Sequence, residues 1–158
     1  MPKVLIVYHS ETGNTKKMAE LIAAGTRDEK VEVTLKEVRA ASVEDLLAHD
    51  GVIIGSPTYY GAMSSEIKKF LDESVKYHGK LDGKVGGAFT SSGNVGGGNE
   101  TTIMGIIQAL LIHGMIVQGT PHGDHYGPVA VGRPDERCQR LCREYGRRIA
   151  RLIKKAAG

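Results

Sequence analysis

Short apolar runs alternate with stretches of helical periodicity along the whole chain. Mainly apolar runs at 4–8, 51–55 and 84–90 predict strands that are buried on both faces of a sheet. A fourth short buried strand is predicted at 115–118. The segment 31–38 alternates apolar and polar residues, as an edge strand does.

The segments between these strands carry helical signals. Apolar residues recur with helical spacing in 14–24, 64–75 and 100–113, and a basic helix ends the chain. Residues 43–49 predict a short helix with Ser42 as its N-cap.

This alternation predicts an α/β fold of parallel strands joined by right-handed helical crossovers. Five strands in 158 residues fit one domain, 1–158, built as a three-layer, doubly wound sandwich with strand order 2-1-3-4-5. Ligands of such sheets bind beyond the carboxyl ends of the strands, where the strand order reverses. The loops after the first, third and fourth strands are therefore the candidate site, and the long loop 119–134 is a second functional candidate.

The composition is that of a globular protein, since 41% of the residues are hydrophobic and 25% are charged. The first ten residues lack the long apolar segment and the cleavage site of a signal peptide. No apolar stretch approaches the length of a membrane span. We therefore expect a cytoplasmic protein without membrane contact.

Cys138 and Cys142 lie four residues apart, on one face of the last helix. Such a pair can join a metal site, but there is no second cysteine pair and the nearest histidines lie in an upstream loop. We favour two small apolar groups in a buried stripe, and we predict no metal.

The segment 133–155 carries nine Lys and Arg residues against three acids, in a chain of net charge +3. A basic helix can bind nucleic acid or an anionic membrane. A packed helix with a basic outer face also accounts for the pattern, and no nucleic-acid motif accompanies the charge, so we expect no nucleic-acid partner. The apolar stripe of this helix consists of Cys138, Leu141, Cys142, Tyr145, Ile149, Leu152 and Ile153.

The first loop connects a buried strand to a helix and reads Ser10-Glu11-Thr12-Gly13-Asn14-Thr15. The N–H groups and partial positive charge of a helix N-terminus suit a phosphate, and the hydroxyl groups add donors. Without Lys or Arg in the loop, neutral dipoles would hold the anion. The loop lacks the Gly-Lys-Ser/Thr of triphosphate loops and the Gly-x-Gly-x-x-Gly of dinucleotide folds, and by itself it also fits an ordinary capped turn.

The second loop places two adjacent tyrosines beside a glycine, in the run Pro57-Thr58-Tyr59-Tyr60-Gly61-Ala62-Met63-Ser64. An aromatic face can cover a flat ring system, and a glycine lets main-chain groups approach the edge of that ring. We expect one tyrosine to pack on the neighbouring helix instead, and the sequence does not decide which.

The third loop contains four glycines in six residues, in the run Ser91-Ser92-Gly93-Asn94-Val95-Gly96-Gly97-Gly98. Each glycine carries an entropic cost, so packing alone does not explain them. They indicate a backbone that lies against a planar ligand and forms hydrogen bonds with it.

The first loop resembles the phosphate loop of flavodoxins. The second loop, and the third loop extended through Asn99-Glu100, are similar to the two flavin loops of the tryptophan-repressor-binding-protein-like NAD(P)H:quinone oxidoreductases. The resemblance extends from residue 3 to about residue 117. It implies a flavodoxin-like fold with non-covalently bound FMN, whose phosphate the first loop holds, while 58–61 and 91–97 flank the isoalloxazine and the ribityl chain.

The chain also departs from these reductases. It has no insertion between the second strand and the following helix, and it reads Ile112-His113-Gly114 where they often read His-His-Gly. The contact of the first histidine with the flavin is therefore lost. The insertion also helps to build the tetramer of these reductases, so its absence puts that assembly in doubt for this chain. A homo-oligomer of another kind stays open.

Two functions stay open. One is a flavoenzyme that takes hydride from NADH or NADPH and reduces a quinone or similar small-molecule acceptor, and the other is an electron carrier between partner proteins. Low-potential flavodoxins resemble one another in placing acids near the flavin, whereas 57–64 and 91–98 contain none and the exterior is basic. The short chain favours the carrier, but on balance we favour the oxidoreductase.

Hydride transfer requires no acid or base side chain, so we name no catalytic residue. In the loop 121–127, His125 and Tyr126 are candidate contacts of the acceptor, although a solvated surface loop is an equal alternative. A metal hydrolase is disfavoured because His122, Asp124 and His125 have no distant fourth ligand.

Overall fold

The computed structural model describes every residue from Met1 to Gly158. Six strands alternate with four α-helices. The strands are β1 (Lys3–Tyr8), β2 (Glu32–Glu37), β3 (Gly51–Pro57), β4 (Val85–Ser92), β5 (Ile116–Val117) and β6 (Val129–Val131). The α-helices are α1 (Asn14–Asp28), α2 (Ser65–Glu73), α3 (Asn99–Ile112) and α4 (Glu136–Ala156), and 3₁₀-helices lie at Val38–Ala40, Val43–Ala48 and Ser74–Tyr77.

All the strands are parallel, and the sheet order β2-β1-β3-β4-β5 confirms the predicted doubly wound fold. β1, β3 and β4 are almost entirely buried because helices cover both faces. Side chains that alternate along β1 enter different cores, with Val4 and Ile6 facing α1 and α4, and Leu5 and Val7 facing α2 and α3. None of the helices combines the length and the apolar composition needed to cross a bilayer.

The edge of the sheet beside β4 differs from the prediction. The predicted fifth strand shrinks to two residues, and the predicted loop 119–134 contains β6. β5 pairs with Val85–Gly86, whereas β6 pairs with residues 90–92 of the same strand. Strands of two and three residues are too short for the periodicity of the sequence to show them.

Tyr145 of α4 fills the gap between β5 and β6. The N–H of Ala88 in β4 donates to the Tyr145 hydroxyl oxygen at 2.9 Å. A Cβ atom on Gly87 would lie 2.3 Å from the same oxygen, so a glycine is required there. One buried hydroxyl thus replaces the missing strand partner.

Two predicted helices end differently from the prediction. The predicted short helix at 43–49 is the 3₁₀-helix Val43–Ala48, and Ser42 caps it in a reciprocal pair with Asp45. The predicted helix 64–75 becomes an α-helix to Glu73 followed by the 3₁₀-turn Ser74–Tyr77. In this turn the Ser74 hydroxyl donates to the Leu71 carbonyl.

The basic helix α4 packs along α1. A Cβ atom on Gly25 or on Gly146 would lie within 2.1 Å of a carbonyl oxygen of the opposite helix, so both glycines permit this close approach. Cys138 and Cys142 are buried in the core on this side, which confirms their structural role.

Several cations of α4 are paired with α1. Arg147 lies 2.8 Å from a carboxylate oxygen of Asp28, and Arg151 lies 2.8 Å from one of Glu29. Lys154 adds a second contact to Glu29, at 3.2 Å. These ion pairs therefore hold α4 against the C-terminal end of α1.

We expect Tyr145→Phe to lower the free energy of unfolding by about 1–3 kcal/mol near neutral pH, because the Ala88 N–H loses its acceptor. Burial raises the pKa of Tyr145 to about 12. The unfolded chain releases this proton near pH 10, so the wild-type protein loses stability between about pH 10 and 12. The cost of the substitution should therefore shrink over that range in urea unfolding experiments.

Tyr126→Phe is the matched control, because Tyr126 is half exposed. It should leave stability unchanged at every pH. A cost of Tyr145→Phe that stays constant up to about pH 12 would contradict the proposed burial of the neutral hydroxyl.

Candidate functional site

The carboxyl ends of β1, β3 and β4 bring the three predicted loops together. The Thr15 hydroxyl of the first loop lies 2.8 Å from the Ser91 hydroxyl of the third, and both residues are buried. The N–H of Thr58 in the second loop donates to the Ser91 carbonyl at 2.7 Å, and its hydroxyl lies 2.8 Å from that of Thr90. These bonds fix the loops against one another.

A cavity of about 170 Å³ opens between the loops. Ten of the predicted site residues line it: Glu11, Thr12, Asn14, Thr15, Pro57, Thr58, Tyr59, Ser91, Ser92 and Gly93. Gly132, which follows β6, completes the wall and was missed because β6 was not predicted. The other predicted residues of the loops stand outside this lining: Ser10, Gly13, Tyr60, Gly61, Asn94, Gly96 and Gly97.

The helices that follow the first and third loops lack side-chain caps. Gly13 is the N-cap of α1 at φ +97°, Gly98 is the N-cap of α3 at φ +110°, and neither N-cap has a side chain that could accept from the first N–H groups of its helix. By contrast, Ser64 caps α2 and Asp135 caps α4 through their side chains. The first N–H groups of α1 therefore stay available beside the cavity, where the helix dipole favours an anion.

The two tyrosines occupy different places in a tight turn. Hydrogen bonds between Tyr59 and Ala62 close the turn, and Tyr60 and Gly61 at its corner have φ values of +49° and +77°. Tyr59 lines the cavity and is 44% exposed, whereas Tyr60 projects fully into solvent. Tyr60 therefore does not pack on the neighbouring helix, and neither tyrosine is buried in the core.

Gly98 allows the second and third loops to touch. A Cβ atom on Gly98 would lie 2.5 Å from the Cα of Gly61. The Thr101 hydroxyl, from the first turn of α3, reaches the Gly61 carbonyl at 2.6 Å. Gly98 therefore permits the contact between the two loops. Gly93 and Gly96 leave the backbone exposed, since no atom lies within 4 Å of a Cβ built on either of them.

His9 is a residue of the site that sequence analysis missed. It follows β1 directly and is only 1% exposed. Its Nε2 lies 2.7 Å from Oε1 of Glu11, and its Nδ1 lies 3.4 Å from Oε2 of Glu66, the second residue of α2. The ring also meets Tyr59 edge-on, with centroids 6.5 Å apart. Its only signal in the sequence is a histidine between a buried strand and a polar loop.

Arg39 bridges the same two carboxylates from outside. Its Nη2 lies 3.7 Å from Glu11 and 3.6 Å from Glu66, and its Nη1 lies 3.9 Å from Glu37. The hydrogen bond from its own backbone N–H lowers the pKa of Glu66, and the nearby guanidinium of Arg39 acts in the same direction. Burial, together with the carboxylates of Glu11 and Glu66, raises the pKa of Tyr59. The second and third loops contain no acid, but the fold places the carboxylates of Glu11, Glu37 and Glu66 beside the site.

His125 and Tyr126 lie elsewhere. They line a separate depression of about 190 Å³ beside the first turn of α3. The ring of His125 is tied through Nδ1 to the Thr120 carbonyl at 2.8 Å. The structure does not bring these two residues into the cavity between the three loops.

A family model, several relatives and a solved structure are similar to this chain over most of its length. Residues 5–102 match a family model described as Flavodoxin domain. A flavodoxin of Aquifex aeolicus is 45% identical over 97% of this chain and 88% of its own length. An NAD(P)H dehydrogenase (quinone) of Archaeoglobus fulgidus is 33% identical over 98% of this chain and 99% of its own. The crystal structure of a flavodoxin, WrbA-like protein from Agrobacterium tumefaciens aligns with a TM-score of 0.83 at 31% identity, covering 98% of this chain and 99% of that one.

We expect Gly98→Ala to lower the free energy of unfolding by about 2 kcal/mol or more, because its Cβ would collide with Gly61 at a backbone angle that disfavours side chains. Gly93→Ala is the matched control in the same loop, since its Cβ meets no atom and its φ is ordinary. It should change stability by less than about 0.5 kcal/mol. Equal effects of both substitutions in chemical denaturation would show that the loops do not depend on this contact.

Proposed function

This chain belongs to the flavodoxin domain family, and from that premise we propose that it is an FMN-binding redox protein that transfers electrons from NAD(P)H to a quinone or similar acceptor. The observation that carries the proposal is the uncapped start of α1 at a cavity lined by all three loops. A helix start without its own cap leaves its donors for a ligand, and the neutral hydroxyls around it suit a phosphate.

The residues present fit the cofactor. We propose that 10–15 hold the phosphate of FMN through main-chain N–H groups and the hydroxyl of Thr12. Tyr59 and the backbone of 91–97 would flank the isoalloxazine rings of FMN. Tyr60 and Gly61 would close the opposite side of the cofactor site. Bound FMN supplies the redox chemistry, and the chain binds it, orients it and sets the charges around it.

A reductase that uses NADH or NADPH is supported by the name of the Archaeoglobus relative, which aligns with this chain over nearly its full length. Tyr59 lines the cavity and is 44% exposed, so a small-molecule acceptor would approach the cofactor from that side. We propose a cytoplasmic location, which the two unbridged thiols of Cys138 and Cys142 support, because such thiols are usual in a reducing compartment.

A specific observation also favours an electron carrier. The carboxylates of Glu11, Glu37 and Glu66 outnumber Arg39 beside the site, and such an excess of negative charge disfavours an anionic reduced cofactor. The relative that is 45% identical carries the name flavodoxin. In this second candidate function, a partner protein delivers and removes the electrons.

Anaerobic mixing of the FMN-loaded protein with NADH or NADPH separates these functions. The reductase should bleach the flavin absorbance rapidly and then turn over with benzoquinone. Inertness to both nucleotides, together with two well-separated one-electron steps in a potentiometric titration, would establish the carrier instead.

We expect Thr12→Ala to weaken FMN binding about tenfold, because the exposed hydroxyl of Thr12 would donate to a charged phosphate. Riboflavin, which lacks the phosphate, should bind much more weakly than FMN and should be insensitive to the substitution. Fluorescence quenching measures both affinities.

Ser65→Ala is the control, since Ser65 is exposed on α2 and bonds only to Glu66. Equal binding of FMN and riboflavin by the wild-type protein would overturn the assignment of the phosphate to the first loop.

A further inference from the structure

The buried ring of His9 lies between two carboxylates that come from different parts of the chain. Glu11 belongs to the first loop and faces Nε2, while Glu66 belongs to α2 and faces Nδ1. A carboxylate only accepts hydrogen bonds, so each nitrogen needs its own proton to bond to its neighbour. A neutral ring can satisfy one of the two, and a doubly protonated ring can satisfy both.

Only one of the two possible hydrogen bonds of the ring is present in the structure. Nε2 is within hydrogen-bond distance of Glu11, whereas Nδ1 has no hydrogen-bond partner although it is fully buried. The Glu66 oxygen stands 3.4 Å away, just beyond a good bond. A second proton on the ring would turn this unpaired nitrogen into a charge-assisted donor aimed at a carboxylate.

Negative charge exceeds positive charge in the cluster around the ring. His9 contacts Glu11, Glu66 and Tyr59 directly. Arg39 joins the cluster by pairing with Glu11 and Glu66, and Glu37 joins it by pairing with Arg39. Three carboxylates face one guanidinium, so the cluster has an excess of two negative charges while the ring is neutral. The hydrogen bond from its own backbone N–H lowers the pKa of Glu66, which keeps that carboxylate charged.

The cluster borders the proposed cofactor site. Glu11 and Tyr59, both in contact with His9, line the cavity between the loops. A phosphate dianion placed at the start of α1 adds negative charge beside an already negative cluster. The repulsion decreases if the cluster takes up a proton, and by linkage the proton must then strengthen phosphate binding.

We propose that His9 is a positioning residue that gains its second proton when FMN binds, and that the charged ring then holds the first loop and α2 together around the cofactor. This inference rests on the proposed function and adds a proton to the binding reaction. The proton comes from the solvent, and no covalent bond changes. His9 acts through Glu11 and Tyr59.

Proton uptake during FMN binding tests the proposal. Isothermal titration of the full-length protein with FMN, in buffers of different ionisation enthalpy, counts the protons taken up. The wild-type protein should take up a fraction of a proton when it binds FMN near neutral pH. His9→Asn should lose this uptake, and its affinity deficit should shrink from about tenfold near pH 5.5 to little near pH 8.5.

The ratio of the two affinities is the decisive quantity, because the FMN phosphate itself titrates near pH 6 in both proteins. His78→Asn is the matched control, since His78 is exposed directly after the 3₁₀-turn that follows α2 and forms no side-chain hydrogen bond. It should reproduce the wild-type profile. If His9→Asn does not fold, Glu66→Gln tests the same idea, because it removes the carboxylate that faces Nδ1 and should reduce the proton uptake.

The outcomes are separable. FMN binding with equal proton uptake in the wild-type and His9→Asn proteins would overturn the role of His9 and leave the proposed function intact. The absence of FMN binding in the wild-type protein would overturn the proposed function itself. A shift of both ring nitrogens of His9 to the doubly protonated state in ¹⁵N NMR on FMN addition would support the proposal directly.

Discussion

Two helices begin at the site without a side-chain cap, and the arrangement of the site depends on this. Gly13 and Gly98 stand where a serine or aspartate would normally satisfy the first N–H groups, as Ser64 and Asp135 do for the other two helices. The sheet is parallel, so its crossover helices begin at one edge and their dipoles point to the same place. The unused donors of α1 lie at the cavity, where Asn14 and Thr15 line the wall.

The loops keep their shape through bonds among themselves. Buried hydroxyls of Thr15 and Ser91 join the first loop to the third, and main-chain and hydroxyl bonds of Thr58 join the second to the third. These contacts fix the cavity wall through bonds within the chain itself. Preformed sites lose less ordering entropy on binding, which benefits a non-covalent cofactor.

Charge at the site comes from residues that are distant in sequence. Glu66 follows the second loop on α2, and Arg39 and Glu37 come from the end of the edge strand. The second and third loops contain no acid in the sequence, but the fold places three carboxylates beside the site. The balance between enzyme and carrier therefore depends on the charge of the whole cluster, including the proton on His9.

The sequence by itself determined the fold class, the strand order and the three loops, because buried runs and helical spacing are local patterns that recur along the chain. It also identified the buried role of Cys138 and Cys142. The tertiary structure alone decided that Tyr59 rather than Tyr60 faces the cavity, that β6 and Tyr145 complete the edge of β4, and that His9 meets Glu66. These features depend on backbone turns of positive φ and on contacts between residues far apart in the chain, and neither leaves a periodic signal in the sequence.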